Sequence, residues 1–60
     1  MYEICKKQYE RKIEKGTLTH EYVEKQKKNL GVFLLYEQIT QEQYEELMNL
    51  LVENDPGEEN

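Results

Sequence analysis

Most of the aliphatic side chains of this 60-residue chain lie in one stretch, and this uneven distribution limits what the chain can fold into. The stretch runs from Leu30 to Val52, LGVFLLYEQITQEQYEELMNLLV, and the residues before it are mainly polar and charged. Its five consecutive apolar residues at 32–36 would suit a buried strand, but the sequence has no second segment to pair with one. We therefore expect the end of one helix, a tight turn at Gln38-Ile39, and a second helix that folds back on the first.

Two helix starts carry the same signal, a threonine followed by a glutamate in the first turn. Thr19 and Thr40 are each placed to accept a hydrogen bond from a backbone N–H of the following helix, and the glutamates lie near its positive end. Gln43 adds the return arm of a capping box. The apolar residues on both sides of each cap predict two hydrophobic staples, Leu18 on Val23 and Ile39 on Tyr44.

The first and third helices are predicted from apolar residues spaced three and four apart. The stripe of the first helix consists of Tyr2, Cys5, Tyr9 and Ile13, and that of the third consists of Tyr44, Leu47, Met48 and Leu51, with Leu50 beside it. Gly16 suits the left-handed position that closes a helix. Turn-forming residues at 54–57 end the third helix.

These patterns predict an all-α fold of three short helices at about 2–15, 20–37 and 41–53, the last two forming an antiparallel helical hairpin. Residues 1–54 would form a single domain, and residues 55–60 would form an acidic flexible tail. Gly31 costs roughly 1 kcal/mol inside a helix relative to alanine. It is therefore expected to mark a kink, a break or a close helix crossing.

A chain of this length is close to the lower limit for a stable single core, since it buries only about 60% of its extended surface. Cys5 is the only cysteine, so no disulfide within the chain can add stability. Association with a second copy or with another protein is the remaining source, and a twofold dimer is favoured. The predicted interface consists of Val32, Phe33, Leu35, Tyr36, Met48 and Leu50.

The charges are divided unevenly along the chain. Residues 1–30 carry all eight basic side chains and five glutamates, whereas residues 31–60 carry eight acidic side chains and no basic one. With a net charge of -5, the chain is poorly suited to nucleic acid, and a helix-turn-helix interpretation would place glutamates against phosphate. The exposed carboxylates could instead contact a basic partner, through Glu42, Glu45 and Glu46.

No pattern in the sequence predicts catalysis, a metal site or a cofactor. His20 lies in the first turn of a helix with no partner evident in the sequence, and Cys5 falls on an apolar stripe, where it is expected to pack as a small hydrophobic residue. The chain has no apolar run long enough for a signal peptide or a membrane span. We therefore expect a non-enzymatic protein in the cytoplasm, without cofactor, nucleic acid or membrane as a partner.

The sequence from Ile39 to Leu47, preceded by the apolar run 32–35, resembles the ends of very short proteins encoded by phages and prophages of Gram-positive bacteria. Among them, the XkdX family of small tail-region proteins also opens with a tyrosine-rich helix closed by Gly-x-x-Thr, similar to Tyr9–Thr19. This chain departs from the family in its lysine-rich middle and its acidic end. The resemblance covers residues 2–52, implies a role in virion assembly and a possible virion location, and brings no catalytic residue with it.

Two functions from different classes remain open. The first is a phage or prophage accessory or assembly protein that acts through protein–protein contacts and self-association. The alternative is a small acidic inhibitor that binds a basic site on a host protein through the glutamates of the third helix.

Overall fold

A computed structural model describes residues 1–57, which form three α-helices and no strand. They are α1 (Tyr2–Lys15), α2 (His20–Leu35) and α3 (Gln41–Asn54). The predicted all-α class is therefore confirmed. Residues 58–60 of the predicted acidic tail lie outside the described residues.

Helix α3 is the centre of the packing, because it contacts both α1 and α2. The helices α1 and α2 meet instead through long side chains. The rings of Tyr9 and Tyr22 are arranged edge to face with 6.2 Å between centroids, and the Tyr9 hydroxyl donates a 3.0 Å hydrogen bond to Gln26 Oε1. The core contains the apolar residues Cys5, Tyr9, Leu18, Val23, Leu30, Ile39, Leu47 and Leu51. Cys5 is thus packed as a small apolar residue, as predicted.

Both predicted helix caps are present. Thr19 Oγ1 accepts a 3.1 Å hydrogen bond from the backbone N–H of Tyr22. Thr40 Oγ1 accepts one of the same length from the N–H of Gln43, whose side-chain oxygen accepts in return from the N–H of Thr40 at 2.9 Å. This second arrangement is the predicted capping box, and it fixes the first residue of α3.

Helices α1 and α2 end in the same backbone motif, although only one of them has a glycine there. At the end of α1, Gly16 is left-handed with φ of 69°, and the N–H groups of residues 16 and 17 bond to carbonyls of the last turn. At the end of α2, Glu37 takes this position with φ of 58°, and the N–H groups of residues 37 and 38 bond to Leu34 and Phe33. Helix α2 was predicted to end at about Tyr36 or Glu37, and it ends at Leu35, because the left-handed Glu37 closes it.

Helix α2 continues through Gly31 without a break. This glycine is exposed, and a Cβ built on it would meet no atom within 4 Å. Neither a break nor a close helix crossing therefore explains the residue.

The open end of the α2–α3 hairpin is closed by a contact between residues far apart in sequence. His20 Nδ1, at the start of α2, lies 3.0 and 3.2 Å from the two carboxylate oxygens of Asp55, just after α3. Asp55 Oδ1 also accepts a 2.9 Å hydrogen bond from the N–H of Gly57. These contacts hold the start of α2 against the end of α3, as the predicted antiparallel hairpin requires.

Candidate interaction surfaces

The outward face of α2 ends in a contiguous apolar surface, which we call the apolar stripe. It consists of Val32, Leu35 and Tyr36, whose exposed fractions are 47%, 76% and 69%. Their spacing of three and four residues places them on one side of the helix end. The buried residues Val23 and Leu30 occupy the opposite side, so the stripe points away from the core of its own chain.

The other residues of the predicted interface lie elsewhere. Phe33, Met48 and Leu50 are half-buried and pack against the core. Leu50 also lines a groove of about 300 Å³ between α1 and α3, together with Lys6 and Glu53. Met48 and Leu50 project from different sides of α3, because residues two apart on a helix point in nearly opposite directions. The stripe on α2 is therefore the part of the predicted interface that remains open to a partner.

A second surface, the basic groove, lies between the last half of α1 and the start of α2. Its volume is about 380 Å³, and its lining residues are Gln8, Arg11, Lys12, Lys15, Thr17 and Tyr22. Every one of these side chains can donate a hydrogen bond, and none is acidic. The groove is therefore suited to an anionic group.

The cations of the basic groove are free to bind such a group. Within residues 1–57, no ion pair joins Arg11, Lys12 or Lys15 to a carboxylate. Lys12 Nζ lies 4.7 Å from the centre of the Tyr22 ring, an arrangement that orients the ammonium over the ring face. Burial raises the pKa of the Tyr22 hydroxyl, with a smaller contribution from Cys5, so this group stays a neutral donor at physiological pH.

A third surface, the acidic face, lies on α3 and contains Glu42, Glu45, Glu46 and Asn49. All four side chains are exposed. They point away from the buried Leu47 and Leu51, so this side of α3 is turned to solvent. Glu46 accepts a hydrogen bond from the Tyr2 hydroxyl at the start of α1.

The other titratable groups with shifted pKa values, Tyr9 and Asp55, make structural contacts within the chain. Burial raises the pKa of Tyr9, whose hydroxyl donates to Gln26. The pKa of Asp55 is lowered, first by the N–H of Gly57 and then by His20. In residues 1–57, no group of three or more histidine, cysteine or acidic side chains could hold a metal ion.

Similarity to known proteins gives no further guide to the function of this chain. Comparisons with protein-family models, with curated proteins and with solved structures find no match for this chain. Over the described range, none of the helices combines the length and the apolar character needed to cross a membrane.

The sequence alone did not indicate the contact of His20 or the basic groove. Asp55, a partner of His20, is 35 residues away, and no local pattern links the two. The basic groove joins the end of one helix to the start of the next, and a count of lysines does not show which of them share a surface. The spacing of Gln8, Arg11, Lys12 and Lys15 was the available signal, since it places all four on one side of α1.

Proposed function

We propose that this chain is a non-enzymatic protein-interaction module that self-associates through the apolar stripe of α2. The observation that carries this proposal is the outward position of Val32, Leu35 and Tyr36 at the end of a helix whose opposite side is already buried. Large apolar side chains that lie next to each other on a surface gain free energy when a partner covers them.

The size of the stripe favours a weak twofold dimer. Burying one large apolar side chain contributes about 1.5–3 kcal/mol, and partly exposed ones contribute proportionally less. A twofold axis would bring two copies of the stripe together, which doubles the buried area. The entropy cost of association offsets much of this gain, so we expect dissociation constants from tens of micromolar to about a millimolar.

The resemblance of Ile39–Leu47 to short phage-encoded proteins supports a role as a phage or prophage accessory or assembly protein. Assembly proteins act through repeated contacts between copies or with other components, which an exposed stripe on a small helical module can supply. This part of the proposal is tested by asking whether the chain copurifies with virions of a phage that encodes it. Its absence from both virions and assembly intermediates would contradict it.

The alternative function, a small acidic inhibitor of a host protein, is favoured by a different surface. The acidic face offers three exposed glutamates, Glu42, Glu45 and Glu46, on one side of α3. A basic site on a host protein would be bound mainly by charge, so the complex should dissociate at high salt. Changing the three glutamates to glutamine would abolish such binding and leave the apolar stripe intact.

Sedimentation equilibrium of the wild type and of Leu35→Gln, over a concentration series up to about a millimolar, tests the proposed self-association. Leu35 is largely exposed, so glutamine should leave the fold stable and weaken the dimer at least about tenfold, because each dimer contains two changed residues. The matched control is Ile4→Gln, since Ile4 is 59% exposed on α1, outside the stripe. A folded monomer at every wild-type concentration, or equal weakening by both substitutions, would contradict the proposal.

A further inference from the structure

The basic groove and the acidic face carry side chains in the same spacing. On α1 the series is Gln8, Arg11, Lys12 and Lys15, and on α3 it is Glu42, Glu45, Glu46 and Asn49. Both series follow the interval of 0, 3, 4 and 7 residues that keeps side chains on one side of a helix. Each contains three charges and one neutral amide, and the amide is first in the basic series and last in the acidic one.

We propose that the basic groove receives the acidic face of a second copy of this chain, with α3 of that copy antiparallel to α1. In this orientation the first position of one series meets the last position of the other. The three cations then meet the three carboxylates and the two amides meet each other, in the pairs Lys15–Glu42, Lys12–Glu45, Arg11–Glu46 and Gln8–Asn49. A parallel orientation would form two ionic pairs and would leave Lys15 against an amide and Glu42 against another.

The fold leaves both surfaces available at the same time. The basic groove is formed by α1 and α2, whereas the acidic face lies on α3, where Glu46 and Asn49 also line the separate groove between α1 and α3. The two surfaces share no residue, and all four side chains of the acidic face are exposed. Arg11, Lys12 and Lys15 have no ion pair within residues 1–57 that the contact would have to break. Glu46 can keep its hydrogen bond from Tyr2, because a carboxylate accepts more than one donor.

A contact between the basic groove of one copy and the acidic face of another joins two different surfaces, whereas the twofold contact joins two identical ones. It is heterologous, so each copy that docks leaves its own groove free for another copy, and the contact builds a ring or an open row. This inference deepens the proposed self-association and rests on it only in taking a second copy as the partner. It uses residues that the stripe does not use.

The test is a charge exchange within one chain, measured by sedimentation velocity at low ionic strength in the Leu35→Gln background. Lys15→Glu places a carboxylate against Glu42, and Glu42→Lys places an ammonium against Lys15, so each change alone should weaken association about fivefold to tenfold. The double variant Lys15→Glu/Glu42→Lys restores the pair with reversed sign and should return association to the background level. Its net charge equals that of the unexchanged chain, so a change in net charge cannot account for the recovery.

A mismatched exchange tests the orientation. Lys15→Glu/Glu46→Lys has the same net charge, but the antiparallel arrangement places both changed residues against like charges, and association should be weaker than in either single variant. Lys7→Glu is the matched control for Lys15→Glu, since Lys7 is exposed on α1 outside the groove, and it should leave association unchanged. Thermal melts by circular dichroism check that every variant folds.

Three results would overturn the proposal. The first is an unchanged association in both single variants, and the second is a matched double variant that stays as weak as the single ones. The third is a groove whose amide signals shift with inorganic phosphate but not with added chain, which would make it a site for small anions. None of these results depends on the apolar stripe. If Leu35→Gln does not weaken the wild-type dimer, the proposed role of the stripe is contradicted, but the charge exchange can still be interpreted.

Discussion

The two halves of α2 pack against the same core but present different faces to solvent. In the first half, Val23 is buried and the opposite side carries Glu21, Lys25 and Lys28. In the second half, Leu30 is buried and the opposite side carries Val32 and Leu35. The first half needs no partner to cover it, because the side chains on its outer side are charged and compatible with water. The second half has apolar side chains that its own chain does not cover, and this difference is the basis for the proposed self-association.

The largest expected effect separates the inner and outer sides of the second half. Leu30→Ala removes a fully buried side chain and should lower the free energy of unfolding by about 2–4 kcal/mol, a large part of the total stability of so small a domain. Leu35→Ala, five residues further on, should lower it by less than about 0.5 kcal/mol, because Leu35 is largely exposed. Urea denaturation at low protein concentration measures both. Equal losses would mean that the second half is buried on all sides.

The first half of α2 begins at a side-chain cap. Thr19→Ala removes the oxygen that accepts from the N–H of Tyr22, and it should cost about 1 kcal/mol of stability. Thr40→Ala at the start of α3 should cost at least as much, because it also disrupts the capping box with Gln43. Thermal melts of the two variants measure the loss of stability. An unchanged midpoint in either one would show that its helix starts without the cap.

The residue that closes the second half of α2 suits a left-handed backbone less well than the glycine that closes α1. Glu37 holds a left-handed backbone that favours glycine, so Glu37→Gly should raise the free energy of unfolding by about 0.5–1 kcal/mol. Gly16→Ala, the opposite change at the end of α1, should lower it by about 1 kcal/mol. The two variants are compared by chemical denaturation. A loss of stability in Glu37→Gly would contradict the assigned conformation.

The smallest expected effect is the pH dependence of the contact between Asp55 and His20, at the start of α2. The lowered pKa of Asp55 means that the folded state favours its charged form, through the N–H of Gly57 and then His20. The resulting stabilisation is fully present above the ordinary pKa of 3.8 and is lost as the pH falls through the lower folded value. Asp55→Asn should therefore be less stable than the wild type at about pH 6 and equal to it at about pH 2. A difference that persists in acid would contradict this account.

The sequence predicted well those features that depend on local chemistry. The first and last residues of α1 follow from its stripe and from Gly16, and the starts of α2 and α3 follow from their threonine caps. The end of α2 was predicted one or two residues too late, because nothing in the sequence marks Glu37 as left-handed. The buried side of its second half could not be predicted, since residues 32–36 are apolar in every direction and periodicity then selects no face. Leu30 is buried and Leu35 is exposed because of where α3 lies.

Among the candidate surfaces too, the features set by a single helix were predicted and those set by the packing of helices were not. The acidic face was predicted, since three glutamates on a well-defined amphipathic helix have only one side to occupy. The predicted interface was broader than the apolar stripe, because periodicity selected no face for Phe33, and because it included Met48 and Leu50 although both belong to the predicted apolar side of α3. All three are half-buried by the chain itself. The contact between His20 and Asp55 and the basic groove both arise from helix packing, which brings together residues from separate segments.

The most direct test of the central claim is an isotope-filtered NMR measurement on a mixture of labelled and unlabelled chains at about a millimolar, which detects contacts between different molecules only. If α2 pairs with α2 of a second copy, the Val32 and Leu35 methyl groups of one chain should show nuclear Overhauser effects to the Tyr36 ring of the other. Leu35→Gln should weaken the effects between the Val32 methyl groups and the Tyr36 ring, because a smaller fraction of the chains is then dimeric. Intermolecular contacts that are absent from the apolar stripe, in a sample whose sedimentation shows association, would contradict the account.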